Sequence, residues 1–305
     1  MSFEGIALKR TFRVEQIYSI HYFEFSKDYM FPGEAHNFWE IAYVDKGVAT
    51  AVAADKEMTL ECGKIIFHQP NEWHNLYANG TTAPNAMVIS FSCRSKEMRR
   101  FAGKIMEVGA EGKKLLSRIL AEGQNAFSSC LDDPYQNKLT RASQARIGSE
   151  QMIGMLLEEL LILLARRQEE PNYSAVNTAP DDSAGEQFLE RCLRYMEEHV
   201  DHKMTLCELS EAFHTSQSVI KKVFYQQRKE GAIHCFLQMK LEKAKELLRE
   251  SDMNVSQIAQ ALGYDNICYF SNQFHRGEGM SPLEYRRSVK AMGERARKMQ
   301  ENAKK

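Results

Sequence analysis

The chain has 305 residues, of which 43% are apolar and 27% are charged, a composition sufficient for two or more ordinary soluble domains. The formal net charge of −1 conceals an asymmetry, because residues 186–305 carry 20 Lys and Arg against 17 Asp and Glu, whereas the preceding residues carry 20 against 24. No apolar run reaches the length of a membrane span, the opening MSFEGIALKRTFRVEQ lacks the apolar core of a signal peptide, and seven cysteines without a CxxC pair favour the reducing cytoplasm.

The first part of the chain is predicted to form an all-β barrel or sandwich. From Arg13 to Phe25 and from Phe38 to Val52, aromatic and β-branched residues alternate with polar ones, and GKIIFHQP and NAMVISFS follow between turn signals. Short strands at this spacing are typical of all-β domains. We assign residues 1–95 to this domain, with an N-terminal arm that ends near Arg13.

Residues 96–168 are predicted to be helical and appended to the barrel. Within SEQMIGMLLEELLILLARRQ, apolar residues recur at spacings of four, three and four. Such a stripe favours packing on the barrel and on a partner subunit, although it also fits a helix buried within its own chain. The residues assigned to dimerisation are Ile153, Leu157, Leu160 and Leu164.

A linker separates this part from a second domain. Residues 169–185 are rich in Pro and small polar residues and have no apolar period. Independently folded parts should flank such a segment. We assign residues 186–290 to an all-α domain and residues 291–305 to a charged tail.

In the second domain, VSQIAQALGYDNICYFSNQFHRGEGMSPLEYRR predicts a helix-turn-helix unit. Asn254 caps the first helix, Gly263 permits the turn, and Tyr269, Phe270 and Phe274 give the second helix a buried face. The opposite face is polar and has no carboxylate to repel phosphate, as suits a helix in the major groove. The residues assigned to DNA contact are Asn266, Ile267, Ser271, Asn272 and His275.

This unit occurs twice. MTLCELSEAFHTSQSVIKKVF (204–224) aligns with MNVSQIAQALGYDNICYFSNQF (253–274), which indicates one supersecondary unit used two times. The stretch AIHCFLQMKLEKAKELLRES between them predicts a long connecting helix that could present both units to successive major grooves, about 34 Å apart. In the first unit, the residues assigned to DNA contact are Gln217, Ser218, Lys221 and Lys222.

Residues 186–290 resemble the DNA-binding domain of AraC/XylS-type transcription regulators. The motifs that carry the resemblance are LSEAFHTSQSVIKKVF, KLEKAKELL, VSQIAQALGY, YFSNQF and GMSPLEYRR. The resemblance implies a double-stranded DNA operator, a homodimer, a small-molecule effector and, for an activator, contact with RNA polymerase. The sequence departs from the family pattern at Lys240, where arginine is usual, and at Ile267 and Cys268, where many relatives have polar residues.

GEAHNFWEIAYVDKG and GKIIFHQPNEWH look like the paired motifs of a cupin barrel, the usual sensor fold of this family. Cupin enzymes bind a metal through His-x-His, a glutamate and a later histidine. The corresponding positions here are Glu34, His36, Glu40 and His74, so a glutamate replaces the first histidine. Because the family's sensor domains usually bind organic molecules without metal, we expect no cofactor and a polar pocket for a small molecule, with carbohydrate as a plausible class. The residues assigned to ligand binding are Tyr22, His36, Phe38, Glu40, Trp73 and His74.

Three functions remain open on sequence alone. The favoured one is a ligand-responsive, sequence-specific DNA-binding regulator, which is not an enzyme and acts mainly as an activator. The second is a metal-dependent cupin enzyme fused to a DNA-binding module. The third is a constitutive DNA-binding dimer whose barrel holds no ligand.

Overall fold

The computed structural model describes residues 3–133, 136, 138–169 and 183–303. Its described residues form two compact units. The first consists of the described residues up to 169 together with residues 292–303, and the second consists of residues 183–291. Within the described ranges, no helix is long and apolar enough to cross a membrane.

The described part of the first unit contains two antiparallel sheets. Its strands are β1 (Val14–Glu24), β2 (Trp39–Lys46), β3 (Val48–Ala53), β4 (Lys56–Glu61), β5 (Lys64–His68), β6 (His74–Ala78), β7 (Asn85–Cys93) and β8 (Ile105–Glu107). The larger sheet has the order β1-β7-β2-β5-β8, and the smaller one has the order β4-β3-β6. The prediction of an N-terminal β-domain is therefore confirmed.

The larger sheet is buried on both faces, and alternation along each strand decides which face a side chain joins. On β2, Ile41 and Tyr43 pack into one apolar cluster with the helices, whereas Ala42 and Val44 pack into a second cluster with the smaller sheet. Glu40 has the same parity as Ala42. The sequence of β2 thus places a carboxylate in the interior between the two sheets.

Two helices cover the outer face of the larger sheet. They are α1 (Gly109–Ala126) and α2 (Ser149–Glu169). The helices pack on each other, and Glu158 of α2 accepts a hydrogen bond of 2.9 Å from the backbone N–H of Val14 on β1. This contact fixes α2 against the sheet.

The four residues assigned to dimerisation are buried inside their own chain. Ile153, Leu157, Leu160 and Leu164 are at most 1% exposed and belong to the cluster between the helices and the larger sheet. The spacing correctly identifies a buried stripe, but the surface that the stripe meets is intramolecular. This assignment is therefore corrected: these residues stabilise the monomer.

The second unit is helical in its described residues. It contains α3 (Ser183–Glu198), α4 (Leu206–Ala212), α5 (Gln217–Arg228), α6 (Ala232–Glu250), α7 (Val255–Ala261), α8 (Ile267–Glu278) and the first part of α9 (Pro282–Ala303). The pairs α4/α5 and α7/α8 are the two helix-turn-helix units. α6 joins them, because Phe236 packs in the core of the first unit and Leu248 in the core of the second.

Local sequence determines where these helices start. Thr205 and Asn254 form complete capping boxes at α4 and α7, as their sequences predict. At the other end of α7, Lys240 lies in the position where the family usually has arginine and donates a 2.6 Å hydrogen bond to the carbonyl of Leu262. Lysine thereby satisfies a terminal carbonyl of the helix that precedes the turn.

Three segment boundaries differ from those expected. The larger sheet continues beyond residue 95, since β8 pairs with β5. Helix α3 begins at Ser183, inside the expected linker, and α9 continues past residue 290 into the expected tail. Residues 170–182 of the expected linker lie outside the described residues.

The turn at Gly263 should tolerate substitution less well than a second glycine with a similar backbone. Gly263 has φ +65° and faces the carbonyl oxygen of Asp201, which a methyl group would overlap, whereas Gly279 has φ +71° and open space. We expect Gly279→Ala to lower the free energy of unfolding by about 1 kcal/mol, from left-handed backbone strain, and Gly263→Ala by about 3 kcal/mol. Urea unfolding of the full chain measures both, and equal losses would contradict the role of the Asp201 contact.

Candidate ligand cavity and DNA interface

A cavity of about 550 Å³ lies in the first unit, on the face of the larger sheet that is opposite α1 and α2. Strands from both sheets and the segment that leads into β2 form its walls. Its aromatic lining comprises Tyr18, Phe23, Phe25, Tyr29, Phe31 and Phe38. Its polar lining includes Ser19, His21, Glu34, His36, Glu40, His68, His74, Asn75 and Ser90.

A cluster of carboxylates and imidazoles forms the polar part of the cavity. Nε2 of His36 lies 3.4 Å from Glu40 Oε2, and Nε2 of His74 lies 3.3 Å from Glu40 Oε1. Ser90 donates a 2.8 Å hydrogen bond to Glu40 Oε2. Glu34 is held beside His74 because the two residues exchange backbone hydrogen bonds of 2.9 Å. Three separate segments of the chain therefore meet at one buried carboxylate.

The cluster alters the proton affinity of its members. Burial by itself raises the pKa of Glu40, but the adjacent imidazoles of His36 and His74 outweigh it and hold that pKa well below its usual range. Burial lowers the pKa of His74, and the Glu40 carboxylate outweighs this effect and raises it. For Glu34, burial and the charge of Glu40 both raise the pKa. Glu40 is thus the fixed negative charge of the site.

Four of these side chains could hold a metal ion. One donor atom from each of Glu34, His36, Glu40 and His74 lies within 4.8 Å of the others. Two imidazoles and two carboxylates are suitable ligands for manganese, iron or zinc. The four residues that the sequence offered as the metal alternative are therefore brought together.

Phe38 lies in the cavity wall between two other rings. Its ring stacks on Tyr18 at a centroid distance of 4.0 Å and on His36 at 3.8 Å, with interplanar angles of 14° and 12°. Two parallel neighbours this close must occupy opposite faces of the ring. A ligand that stacks on Phe38 must therefore displace one of them.

Two residues assigned to ligand binding lie elsewhere. Tyr22 projects to the helix side of β1, where its hydroxyl donates a 2.9 Å hydrogen bond to Asp45. Trp73 is 46% exposed and covers Gly33 instead of lining the cavity. Both assignments are corrected. Strand alternation turns Tyr22 away from His21 and Phe23, and Trp73 precedes β6 with the opposite orientation to His74.

Several cavity residues were missed by the sequence analysis. His68 is 1% exposed and stacks on His74 at 4.5 Å, and Asn75 donates a 2.8 Å hydrogen bond to the carbonyl of Phe31. His21 and Ser90 lie on neighbouring strands. For His21, His68 and Ser90, the signal that could have found them is parity, because their neighbours Ile20, Phe67 and Ile89 belong to the helix-side cluster.

The residues assigned to DNA contact lie at exposed positions of α5 and α8, apart from Ser271, which is half-buried. Gln217, Ser218, Lys221 and Lys222 occupy the first two turns of α5. On α8, the side chain of Asn266 accepts hydrogen bonds from two backbone N–H groups and acts as the helix cap. The remaining three residues of this set, Ile267, Asn272 and His275, are exposed.

Two tyrosines on these helices were not assigned to DNA contact. Tyr269 is 52% exposed, so the expectation that it joins the buried face with Phe270 and Phe274 is wrong. Tyr225 is 67% exposed on α5. An i, i+1, i+5 set spans too wide an arc for all three members to face one core, and the tyrosine is left at the surface.

Comparisons with known proteins agree with the division of the chain into a β-rich unit and a helical unit. A family model described as AraC-like ligand binding domain matches residues 17–103, and one described as helix-turn-helix domain matches residues 209–288. The uncharacterized HTH-type transcriptional regulator YisR of Bacillus subtilis (strain 168) is 32% identical over 107 residues, which are 35% of this chain and 37% of YisR. The HTH-type transcriptional activator RhaR of Yersinia pseudotuberculosis serotype O:1b (strain IP 31758) is 25% identical over 256 residues, 84% of each chain.

Among solved structures, the chain is similar to the C-terminal domain of AraT, a response regulator from Geobacillus stearothermophilus. The identity is 31% and the TM-score 0.32, and the match covers 33% of this chain and 84% of that chain. The two family models match the β-domain and the helix-turn-helix units of one chain, and a transcriptional activator aligns along 84% of its length. The chain therefore belongs to the AraC/XylS family of transcription regulators, with an AraC-like ligand-binding domain and a helix-turn-helix DNA-binding domain.

Proposed function

We propose that the chain is a cytoplasmic, homodimeric activator of transcription that responds to a hydroxyl-rich small molecule, with carbohydrate as the favoured class, and that it is not an enzyme. The observation that carries the proposal is the cavity of about 550 Å³ within an AraC-like ligand-binding domain on the same chain as two helix-turn-helix units. Activation is supported by the name of RhaR, a transcriptional activator. An activator would also contact RNA polymerase.

The chemistry of the cavity favours a ligand with several hydroxyl groups. In the described residues, Oδ1 of Asn75 is buried without a hydrogen-bond donor, and the Glu34 carboxylate lines the same cavity. These acceptors need donors, and a hydroxyl can donate to them while it accepts from an imidazole N–H. The aromatic wall supplies the apolar contact that a sugar ring also requires.

DNA binding is proposed to use the exposed positions of α5 and α8. Lysines 221 and 222 provide positive charge on α5, and α8 has no carboxylate from Asn266 to Gly277. Lys221 and Lys222 suit phosphate or guanine, and Asn272 suits adenine. Ile267, 40% exposed at the start of α8, suits contact with a thymine methyl group.

A dimer interface is proposed on the outer face of α2. Met155 and Ile162 are 54% and 36% exposed, and Glu159 and Arg166 lie on the same stripe. These residues recur every three or four positions, so they form one continuous face. Two copies of an apolar stripe with charges of both signs can pair by a two-fold axis.

Substitutions on the two proposed reading helices should weaken operator binding. Lys222→Ala and Asn272→Ala are each expected to cost about 1 to 3 kcal/mol of specific binding because a base contact is lost. Lys221→Ala is expected to reduce the salt dependence of binding by about one phosphate contact. Fluorescence anisotropy with an operator selected from random duplex DNA measures these effects. The control is Lys56→Ala, an exposed lysine of β4, and unchanged affinity in folded Lys222→Ala and Asn272→Ala proteins would refute the assignment.

A cavity ligand should raise the melting temperature of the full chain in a saturable way, because it binds only the folded state. Thermal unfolding against a panel of sugars and related metabolites identifies it. Asn75→Ala is expected to weaken that ligand about three- to tenfold through loss of one hydrogen bond. Tyr22→Phe, outside the cavity, should bind like the wild type. Silence of the whole panel, with intact operator binding, would instead support the constitutive dimer.

The dimer should dissociate when charge enters the exposed stripe of α2. Ile162→Asp is expected to shift the chain to monomer because a buried, unpaired carboxylate is costly at an interface. Ser117→Asp, which places the same charge at an exposed position of α1, serves as the control. Sedimentation equilibrium gives the outcome, and a dimer of unchanged strength in the Ile162→Asp protein would place the interface elsewhere.

A further inference from the structure

The imidazole N–H groups beside Glu40 are bonded to the backbone. Nδ1 of His36 lies 3.1 Å from the carbonyl oxygen of Phe38, and Nδ1 of His74 lies 2.9 Å from that of Glu72. A carbonyl oxygen only accepts hydrogen bonds, so each Nδ1 carries a proton and donates. The Nε2 atom of each neutral ring is therefore an acceptor, and in the described chain neither of these buried atoms has a hydrogen-bond partner.

Two amide side chains of the cavity lining follow the same pattern. Nδ2 of Asn75 donates a 2.8 Å hydrogen bond to the carbonyl of Phe31, and Nε2 of Gln136 donates one of 3.1 Å to the carbonyl of Lys138. The amide oxygens of Asn75 and Gln136 are buried, and no donor reaches them from the described residues. Asn75 is only 6% exposed, so its oxygen needs a donor from a molecule in the cavity.

The serine hydroxyls of the cavity are also used within the protein. Ser19 donates a 2.8 Å hydrogen bond to Ser90, and Ser90 donates one of 2.8 Å to Glu40. The N–H of His68 remains available, because neither ring nitrogen of this buried residue has a hydrogen-bond partner in the described part of the chain. The cavity therefore offers many acceptors to a ligand and few donors.

The charge of the lining has the same consequence. Glu34 and Glu40 line the cavity, and none of the described lining residues is a lysine or an arginine. Protonation of one imidazole balances one carboxylate and leaves the other without a counter-charge. An ammonium group has three N–H donors, a positive charge and no lone pair, whereas a hydroxyl donates once and adds two lone pairs among the existing acceptors.

The size of the polar cluster suits an ammonium group. One nitrogen or oxygen atom from each of Glu34, His36, Glu40 and His74 lies within 4.8 Å of the others. Acceptors placed around one nitrogen at about 2.9 Å, in tetrahedral directions, are about 4.7 Å apart. The aromatic rings of the same cavity also attract a cation to their faces.

We propose that the effector is a hydroxylated primary amine, an amino sugar within the carbohydrate class, whose ammonium group lies beside Glu34 and Glu40 at the polar end of the cavity. This inference rests on the proposed role of the cavity as the effector site. The ammonium group supplies the donors and the charge that the lining lacks, and the N–H of His68 is available for a hydroxyl oxygen of the same ligand.

The test compares matched ligands on the full-length protein by thermal unfolding and titration calorimetry. The ligands are glucosamine, galactosamine and mannosamine, each with its parent hexose and its N-acetyl derivative, and EDTA keeps divalent ions out of the cluster. We expect saturable binding of at least one amino sugar. Its parent hexose and its N-acetyl derivative should each bind at least about tenfold more weakly, because the charge-assisted hydrogen bonds are lost.

A matched pair of variants tests the position of the ammonium group. Glu34→Gln removes the charge but keeps the shape of the side chain and the backbone bridge to His74. It should weaken the amino sugar at least about tenfold and change binding of the parent hexose little. Glu57→Gln removes an exposed carboxylate of β4 that does not line the cavity, and should bind the amino sugar like the wild type.

The outcomes separate this proposal from the regulator function. A parent hexose that binds as tightly as its amino sugar would overturn the amine and leave a sugar-responsive regulator. Equal affinity for the amino sugar in the wild type and a folded Glu34→Gln protein, or no response to any amine, would also overturn it. Comparison of the ligands on the wild type gives an answer even where a variant does not fold, and operator binding measured on the same protein tests the regulator function independently.

Discussion

The burial of the larger sheet on both faces is the constraint on which the first unit depends. Because side chains alternate along a strand, each of its strands must supply one set of residues to the helices and another to the interior between the sheets. On β7, Ile89 belongs to the first set and Val88 and Ser90 to the second. A one-residue shift would exchange the sets, so the register that folds the barrel also forms the cavity.

A related constraint acts in the second unit, where each helix-turn-helix buries only a small core. Phe224 of α5 and Phe270 of α8 are each covered by residues of α6, so neither unit has an independent core. Sharing one helix between two cores gives both units a rigid common support. The polar residues of α5 and α8 are then not needed for core packing, and among them Asn266 has a structural role as the cap of α8.

Local signals were predictable from the sequence, whereas pairings between distant segments were not. The capping boxes at Thr205 and Asn254 depend on residues three positions apart and were readable directly. The stripe at Leu157 showed that α2 is buried on one side, but periodicity does not say whether the covering surface is the same chain or another. Tyr22 was misplaced because it was assigned for its aromatic ring, whereas the regular alternation of β1 after Ser19 turns it away from the cavity residues His21 and Phe23.

The Glu40 cluster is costly to fold if nothing binds there. A carboxylate taken from water needs compensation, and apolar residues of similar volume often stabilise a protein more than buried charges do. Ser90 and the two imidazoles supply part of that compensation, yet the nearby His68 has neither ring nitrogen hydrogen-bonded among the described residues. Polar groups this buried and this incompletely satisfied fit a site whose partner is a ligand or an ion.

Ligand control of DNA binding requires a difference in effector affinity between two arrangements of the protein. The polar cluster is already assembled, so its contacts alone give little difference in effector affinity between the two arrangements. The stack of Tyr18, Phe38 and His36 can supply such a difference in affinity, because an effector ring that stacks on Phe38 must displace either Tyr18 or His36. Tyr18 lies on β1, directly after the N-terminal arm, so its displacement would alter the strand from which the arm extends. By linkage, a signal transmitted this way would also make operator DNA change effector affinity by the same factor.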